Sequence, residues 1–176
     1  MVAEIISVGT ELLLGNIVNT NAQYLAGRLA ELGFDLYYQT VVGDNTEHLK
    51  GALDVAYTRA ELVILTGGLG PTKDDMTKEM LAHYFGKTLV FDQAVFDNVV
   101  KHVHEFGATQ ITENHRKQAM VPSDSLILNN DYGTAPGCVM QNDGKIAVLL
   151  SGPPREMKPM FEQCVERFLY QLVSKA

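Results

Sequence analysis

The first half of the chain alternates between two hydrophobic patterns, and this alternation constrains the fold more than any other feature. Three short apolar runs, typical of buried strands, are each followed by a stretch with apolar residues at helical spacing. In chain order these segments span 4–9, 22–32, 35–43, 46–58, 61–65 and 74–85. The pattern predicts right-handed crossovers and a mainly parallel sheet covered by helices on both faces. We expect Thr20 or Asn21 to cap the first of these helices.

The second half of the chain departs from this pattern. Two further helices are predicted near 92–106 and 113–120, with Pro122 closing the second, and this excursion is expected to cover an edge or rim of the sheet. A last helix is predicted from Pro154 to about Val173, because proline is favoured in the first turn of a helix.

A turn signal near residue 143 predicts that the sheet is mixed. Asp143-Gly144 lies between two apolar runs, so 137–142 is expected to pair antiparallel with 145–150 in a hairpin. We find no internal repeat and no long linker in the 176 residues, and we predict one domain over 1–176.

Charge and composition exclude several classes of partner. The chain has 21 acidic and 14 basic residues, a formal net charge of −7 and no basic stripe, so no nucleic-acid partner is expected. No apolar run approaches the ~20 residues of a membrane span, and Glu4 and Glu11 interrupt the N-terminal run, so we expect neither a membrane segment nor a signal peptide. Cys138 and Cys164 match no zinc or redox spacing, which favours two reduced thiols and a cytoplasmic protein.

The clearest candidate for a ligand site is the segment TGGLGPTKDD, residues 66–75, between a predicted buried strand and a predicted helix. The glycines at 67, 68 and 70 would let backbone N–H groups approach a ligand closely, and the following helix would present its unpaired N–H groups. We therefore predict that a phosphate binds near the N–H groups of Gly68 to Thr72. The candidate ligand-binding residues in this segment are Gly67, Gly68, Gly70, Thr72 and Asp74.

Known phosphate motifs do not describe this segment. It lacks the Gly-Lys-Ser/Thr of a nucleotide P-loop, and Lys73 stands where the dinucleotide fingerprint has its third glycine. A tight left-handed turn, with Asp74 as the cap of the next helix, is the structural alternative.

Three further loops are expected at the same end of the sheet, because ligands of open α/β sheets bind beyond the carboxyl ends of the strands. One follows the first strand, one is the stretch 133–137, and one follows the hairpin and opens the last helix. Each loop taken alone is more often a turn than a binding site, but their occurrence together favours a shared pocket. The candidate ligand-binding residues in these loops are Gly9, Thr10, Glu11, Thr134, Gly152 and Pro153.

Carboxylates are expected near these loops. Asp44 follows the second predicted strand, and Asp74 and Asp75 precede the third predicted helix, where only one of the two adjacent side chains can point into a pocket. A pair such as Asp44 and Asp75 is suited to hold a divalent cation or to position an attacking water. Helix capping by both is the alternative. His102 and His104 fall on different faces of a predicted helix, and we expect no metal site there.

These motifs, in this order, resemble the family of CinA N-terminal domains, within the molybdopterin-binding superfamily of MogA and MoaB type. The resemblance covers nearly the whole chain. It implies a three-layer α/β/α sandwich with a mixed, mainly parallel sheet, and a pocket for molybdopterin or a nucleotide to which Asn21 contributes. The residues that carry the resemblance are Gly9 to Leu13 with Gly15, Asn19 to Asn21, Val42 to Asp44, Thr66 to Thr72 with Asp74, Asp75 and Thr77, Gly133 to Gly137, and Gly152 to Met157.

The resemblance also implies an activity. The two functional aspartates of the molybdopterin adenylyl-transferring branch fall on Asp44 and Asp75, while the CinA branch resembles a metal-dependent ADP-ribose pyrophosphatase that forms AMP and ribose 5-phosphate. Asp44 and Asp75 would then be catalytic and would bind a divalent ion of the Mg, Mn or Co type, optionally joined by a monovalent cation. A pterin- or nucleotide-binding module without hydrolytic activity is the alternative.

The family also bears on assembly and length. A homo-oligomer is expected. Full-length members usually continue into a C-terminal amidohydrolase domain that this sequence does not contain, so a stand-alone form and a fragment both stay open.

Overall fold

The structure is a computed structural model that describes residues 1–69 and 76–175, and strands of two sheets run through it. A six-stranded sheet has the spatial order β2-β1-β3-β8-β7-β6, and β4 pairs with β5 in a separate two-stranded sheet. In chain order the strands are β1 (Val2–Val8), β2 (Asp35–Val42), β3 (Leu62–Thr66), β4 (Leu89–Phe91), β5 (Met120–Pro122), β6 (Leu126–Leu128), β7 (Gly137–Asn142) and β8 (Lys145–Leu150).

Helices cover both faces of the large sheet. Helices α2, α7 and α8 pack on one face, α3 and α4 pack on the other, and α5 and α6 belong to the excursion near β4 and β5. In chain order the helices are α1 (Thr10–Leu13), α2 (Thr20–Glu31), α3 (Thr46–Ala56), α4 (Thr77–Tyr84), α5 (Gln93–Glu105), α6 (Glu113–Gln118), α7 (Pro154–Met160) and α8 (Glu166–Ser174), with a π-helical segment at Phe161–Val165.

The central strands are buried on both faces. In β1 Ile5 packs into the core under α2, while its neighbour Ile6 packs into the core under α3. Ile64 and Leu65 of β3 divide between the two cores in the same way. Alternate side chains of a strand point to opposite faces, so a strand in the middle layer is apolar throughout. The predicted α/β/α sandwich is confirmed.

The predicted hairpin is also confirmed. Strands β2, β1, β3 and β8 are parallel, whereas β7 runs antiparallel to β8 and to β6. Asn142 pairs with Lys145, and the two turn residues Asp143 and Gly144 have φ values of 49° and 76°. Positive φ at both central positions is typical of the hairpin turn that Asp-Gly favours.

Two local predictions are wrong. The N-cap of α2 is Asn19, whose side chain accepts a hydrogen bond from Ala22 N at 3.2 Å, rather than Thr20 or Asn21. The helix predicted over 113–120 ends at Gln118, because Met120 already pairs with β4. That pairing is a tertiary contact, and it overrides the local helical pattern.

The last helix extends to Ser174, but it is not uniform. A π-helical segment at Phe161–Val165 separates α7 from α8. It begins two residues after Pro159, which has no backbone N–H to donate within a helix. The wider turn still leaves Phe161 and Val165 fully buried in the core under α2.

Candidate functional site

A cleft of about 520 Å³ opens at the carboxyl ends of β1, β3 and β8. From β1 the chain passes to β2 on one side and then returns to β3 on the other, so the strand order reverses at this point. Open α/β sheets bind ligands at such a reversal. The volume lies within the range of small-molecule sites, roughly 300–1,000 Å³.

Of the residues predicted to be catalytic or ligand-binding, seven line this cleft and three other described ones do not. Those that line it are Glu11, Asn21, Asp44, Gly67, Gly68, Gly152 and Pro153. Gly9, Thr10 and Thr134 are described but stand outside its lining. Gly70, Thr72, Asp74 and Asp75 lie outside the described residues, and their roles stay predictions.

The glycines of the cleft allow three strand ends to meet. Gly67 has a φ of +104°, and a Cβ there would overlap the carbonyl oxygen of Val8. Gly68 has a φ of +71°, and a Cβ there would overlap Thr77 Oγ1. A Cβ on Gly152 would lie 3.4 Å from Gly67 Cα. Close packing therefore explains these glycines whether or not a ligand is bound.

The N–H of Gly67, which directly precedes the predicted cradle of Gly68 to Thr72, is used inside the protein. Gly67 N donates to Leu150 O at 3.2 Å, so this N–H is committed to the sheet. Pro153 and Pro154 line the cleft without any backbone N–H to offer. Gly67, Pro153 and Pro154 therefore give no backbone donor to an anion in the cleft, while the predicted donors at 70–72 lie outside the described residues.

The N-terminus of α2 is another part of the cleft that favours an anion. Asn19, Thr20 and Asn21 all line the cleft, and α2 begins at Thr20. The start of a helix carries a partial positive charge and favours anions. From the sequence, the anion was predicted at the start of α4, and Asn19 to Asn21 were identified only as a family motif with a helix cap. The signal for the start of α2 was the polar triplet Asn19 to Asn21, which directly precedes a helix with apolar residues at regular spacing.

Asn21 ties α2 to the ends of two strands. Its side chain is 8% exposed, and Nδ2 donates to Thr66 Oγ1 at 3.0 Å and to Gly152 O at 2.7 Å. Thr66 Oγ1 donates in turn to Ser151 O at 2.9 Å. These bonds hold the glycine turn after β3 and the loop after β8 in a fixed relation to the start of α2.

Asp44 presents a carboxylate whose orientation is set by Thr10. Thr10 donates to Asp44 Oδ2 through its backbone N at 3.3 Å and through Oγ1 at 3.2 Å, and Asp44 N donates back to Thr10 Oγ1 at 3.1 Å. None of these bonds goes to Oδ1. Thr10 was predicted to bind the ligand; it does not line the cleft, and these hydrogen bonds join it to Asp44.

Glu11 brings a second carboxylate to the cleft. It folds back over Gly9, where a Cβ would lie 2.6 Å from Glu11 Oε1. Gly9 itself is buried, and its N–H donates to Val42 O at 2.9 Å. The predicted ligand residue Gly9 therefore makes room for Glu11 and continues the sheet.

The loop at 133–137 is not brought to this cleft. A Cβ on Gly133 would overlap Glu156 Oε1, and Asn130 Nδ2 donates to that oxygen at 2.8 Å and to Ala135 O at 2.9 Å. These contacts fasten the loop to the start of α7. Thr134 belongs to this packed loop and does not line the cleft, so its predicted contact with a ligand stays a prediction.

The described part of the cleft lining carries a negative charge. This part contains the carboxylates of Glu11 and Asp44 and neither lysine nor arginine. Within the described residues no group of three or more His, Cys, Asp or Glu side chains is arranged to hold a metal. Two carboxylates with oxygen donors nevertheless suit a hard divalent cation that keeps part of its water shell.

His102, Cys138 and Cys164 lie outside the cleft. His102 is buried, with its ring nitrogens 2.9 Å from Asn98 O and Asp131 O. Cys138 and Cys164 are free thiols, and burial raises the pKa of Cys138 to about 12.

Over 1–69 and 76–175, every helix is too short or too polar to cross a membrane.

A mixed α/β sandwich with a small-molecule cleft at the strand reversal defines the class of this protein. Its sequence matches, over residues 4–171, the family described as "Probable molybdopterin binding domain", and the chain belongs to that family.

Relatives agree with this assignment and with the resemblance to CinA-like proteins. A protein of Caldicellulosiruptor saccharolyticus, named for competence-damage inducibility, is 59% identical over 169 residues, which cover 96% of this chain and 41% of the relative. The crystal structure of CinA from Thermoplasma acidophilum, titled as of unknown function, is 34% identical with a TM-score of 0.85, covering 95% of this chain and 96% of that one. The chain thus spans about two fifths of the length of the curated relatives it matches.

A more distant structure supports the fold alone. MoaB from Pyrococcus furiosus, titled as a tungsten cofactor synthesizing protein, has a TM-score of 0.64 at 18% identity and covers 99% of this chain and 95% of that one.

Proposed function

We propose that this cleft binds a nucleoside diphosphate sugar and hydrolyses its phosphoanhydride in a metal-dependent reaction, converting ADP-ribose to AMP and ribose 5-phosphate. The observation that supports it most is the combination of two carboxylates, Glu11 and Asp44, with the N-terminus of α2 in one cleft. A phosphoanhydride is an anion, and two carboxylates repel it unless a cation lies between them. A divalent metal resolves this conflict.

The described residues fit such a metal. Asp44 Oδ1 accepts none of the hydrogen bonds that Thr10 gives, and Glu11 brings further oxygen donors to the same lining. Asp75 is proposed as an additional ligand from the family resemblance. When bound, a divalent ion would neutralise phosphate charge and acidify a bound water.

The chain's own residues bind and orient the reactants. A water oxygen forms a bond to one phosphorus, the bridging P–O bond breaks with its electron pair on the leaving phosphate, and the water's protons are released to solvent or product. Thr10 holds Asp44 in one orientation, which removes a cost of reorganisation during the reaction. The N-terminus of α2 stabilises the negative phosphate oxygens.

The test is a hydrolysis assay on several nucleoside diphosphate sugars with Mg, Mn or Co. Asp44→Asn removes the charge that binds the metal while keeping the side chain's size. Asp35→Asn is the matched control, since it makes the same change at the opposite, exposed end of β2. We expect Asp44→Asn to lose about a hundredfold in rate, about 3 kcal/mol of barrier, and Asp35→Asn to stay within twofold.

Two results would contradict the proposal. One is full activity of Asp44→Asn at saturating metal. The other is the absence of hydrolysis of all substrates by the wild-type chain, in a preparation that binds ADP.

A second candidate is a binding module that holds a pterin or nucleotide and leaves chemistry to a partner. The description of the matching family as a probable molybdopterin binding domain supports it. Under this reading the wild-type chain would bind a molybdopterin or nucleotide with a defined stoichiometry and would show no turnover with any metal.

Assembly and location are part of the proposal. We propose a cytoplasmic homo-oligomer, since both branches of the resemblance describe cytoplasmic small-molecule chemistry. Sedimentation of the purified chain tests the assembly, and a monomer at micromolar concentration would refute it.

A further inference from the structure

A short segment beside the cleft exposes an unusual amount of aliphatic surface. Between the middle of α1 and the start of α2, Leu13 and Leu14 are 55% and 68% exposed, and Ile17 and Val18 are 53% and 81% exposed. Large clustered apolar side chains on a protein surface indicate a binding function. Some partner should therefore cover them.

The segment is held in a defined turn. Asn16 N donates to Glu11 O at 2.9 Å, Gly15 N donates to Leu12 O at 3.2 Å, and Gly15 has a φ of +76°. Left-handed backbone at Gly15 reverses the chain without the strain of a side chain. The aliphatic side chains are therefore presented by a fixed backbone.

The exposed side chains divide into two groups. Ile17 and Val18 line the cleft together with the half-buried Leu12, whereas Leu13 and Leu14 do not. We call Leu12, Ile17 and Val18 the aliphatic wall. It stands in the same cleft as the start of α2 and the carboxylate of Asp44, so the cleft has a polar part and an apolar part.

We propose that the aliphatic wall binds the flat heterocycle of the ligand, a nucleobase or a pterin ring, while the phosphates lie at the start of α2. This inference rests on the proposed function, because it takes the cleft to be the ligand site. Aliphatic side chains give a phosphate no hydrogen bond, but they gain apolar burial from a ring face. Ile17 and Val18 therefore discriminate between ligands that carry a heterocycle and phosphates that carry none.

The test compares two probes, ADP and inorganic pyrophosphate, by titration calorimetry with divalent metal present. In the Ile17→Ala/Val18→Ala double variant we expect the Kd for ADP to rise about tenfold, or about 1.4 kcal/mol. The Kd for pyrophosphate should stay within twofold. Leu14→Ala is the matched control, because it truncates an equally exposed aliphatic side chain of the same turn outside the cleft. It should change neither Kd.

Other outcomes overturn the inference. Equal weakening of both probes would mean that the two side chains only support the turn, and an unchanged Kd for ADP would mean that the ring lies elsewhere. Wild-type chain that binds ADP no better than pyrophosphate, or binds neither, refutes it as well. Failure of hydrolysis with selective ADP binding would refute the proposed catalysis alone and leave the aliphatic wall standing.

Discussion

Asn21→Ala tests whether the amide of Asn21 holds together the end of β3, the end of β8 and the start of α2. The substitution removes the bonds from Nδ2 to Thr66 Oγ1 and to Gly152 O, at 3.0 and 2.7 Å. Each buried hydrogen bond contributes about 0.5–1.5 kcal/mol net. Asn21 Oδ1 is buried and accepts no hydrogen bond from the residues that the structure describes, so its removal returns part of this loss. We expect a net destabilisation of about 1–2.5 kcal/mol.

Urea unfolding followed by circular dichroism measures this change. In thermal unfolding of a chain of this size, each kcal/mol of lost unfolding free energy lowers Tm by about 2–4 °C. Ligand affinity should fall further than stability suggests, because the turn after β3 and the loop after β8 lose their common anchor. We expect at least a tenfold increase in the Kd for ADP.

Asn19→Ala provides the control for a general loss of helix stability. It removes the N-cap bond to Ala22 N and the bond to Ser7 Oγ, at a cost of about 1 kcal/mol. It leaves the bonds of Asn21 in place, so its Kd for ADP should rise less than that of Asn21→Ala. Equal Kd values for the two variants, or a stability of Asn21→Ala within 0.5 kcal/mol of wild type, would refute the anchoring role.

Three further predictions follow from particular residues. Gly67→Ala should lower the free energy of unfolding in urea by about 3 kcal/mol or more, because φ is positive there and a Cβ would overlap the Val8 carbonyl oxygen. Gly51→Ala in α3 is the control, and it should be neutral or stabilising because the space around Gly51 is open. Equal stabilities of the two variants would refute the packing account. Because burial raises the pKa of Cys138 to about 12, its thiol stays protonated at pH 8 and should react with a thiol reagent only on unfolding; rapid labelling of the folded chain would contradict this. Asp75→Asn should melt near the parent temperature yet lose most metal-dependent hydrolysis, with Asp74→Asn affected less; the reverse order of the two activities would exchange their roles.

The layered fold could be predicted because its signals are local. Continuous apolar runs such as 61–65 identify strands buried on both faces, and Asp143-Gly144 identifies the hairpin turn that makes the sheet mixed. The small sheet of β4 and β5 could not be predicted. Its strands have three residues each, and Met120 leaves the helical pattern only because β4 offers it a partner.

The candidate site was predicted in its location more than in its roles. A motif indicates that a position matters, but it does not tell contact with a ligand from support of a neighbour. Thr10 orients Asp44, Gly9 leaves space for Glu11, and the 133–137 loop is fastened by Glu156. The contacts of Thr10 with Asp44 and of the 133–137 loop with Glu156 join residues far apart in sequence, and no local pattern predicts them.

The same limit applies to the start of α2. The anion was predicted at the start of α4, because glycines directly before a helix are a familiar signal for phosphate binding. That α2 starts at the cleft follows from the position of β1 between β2 and β3, which no local pattern near Asn19 indicates.

Phosphorus NMR of ADP-ribose incubated with the wild-type chain tests the central claim most directly. With a divalent metal present, the two pyrophosphate resonances should disappear together as those of AMP and ribose 5-phosphate appear in equal amounts. Excess chelator should stop the conversion, and renewed metal should restore it. Unchanged pyrophosphate resonances at stoichiometric protein, under conditions where calorimetry shows ADP-ribose bound, would contradict the hydrolase and leave a binding module in its place.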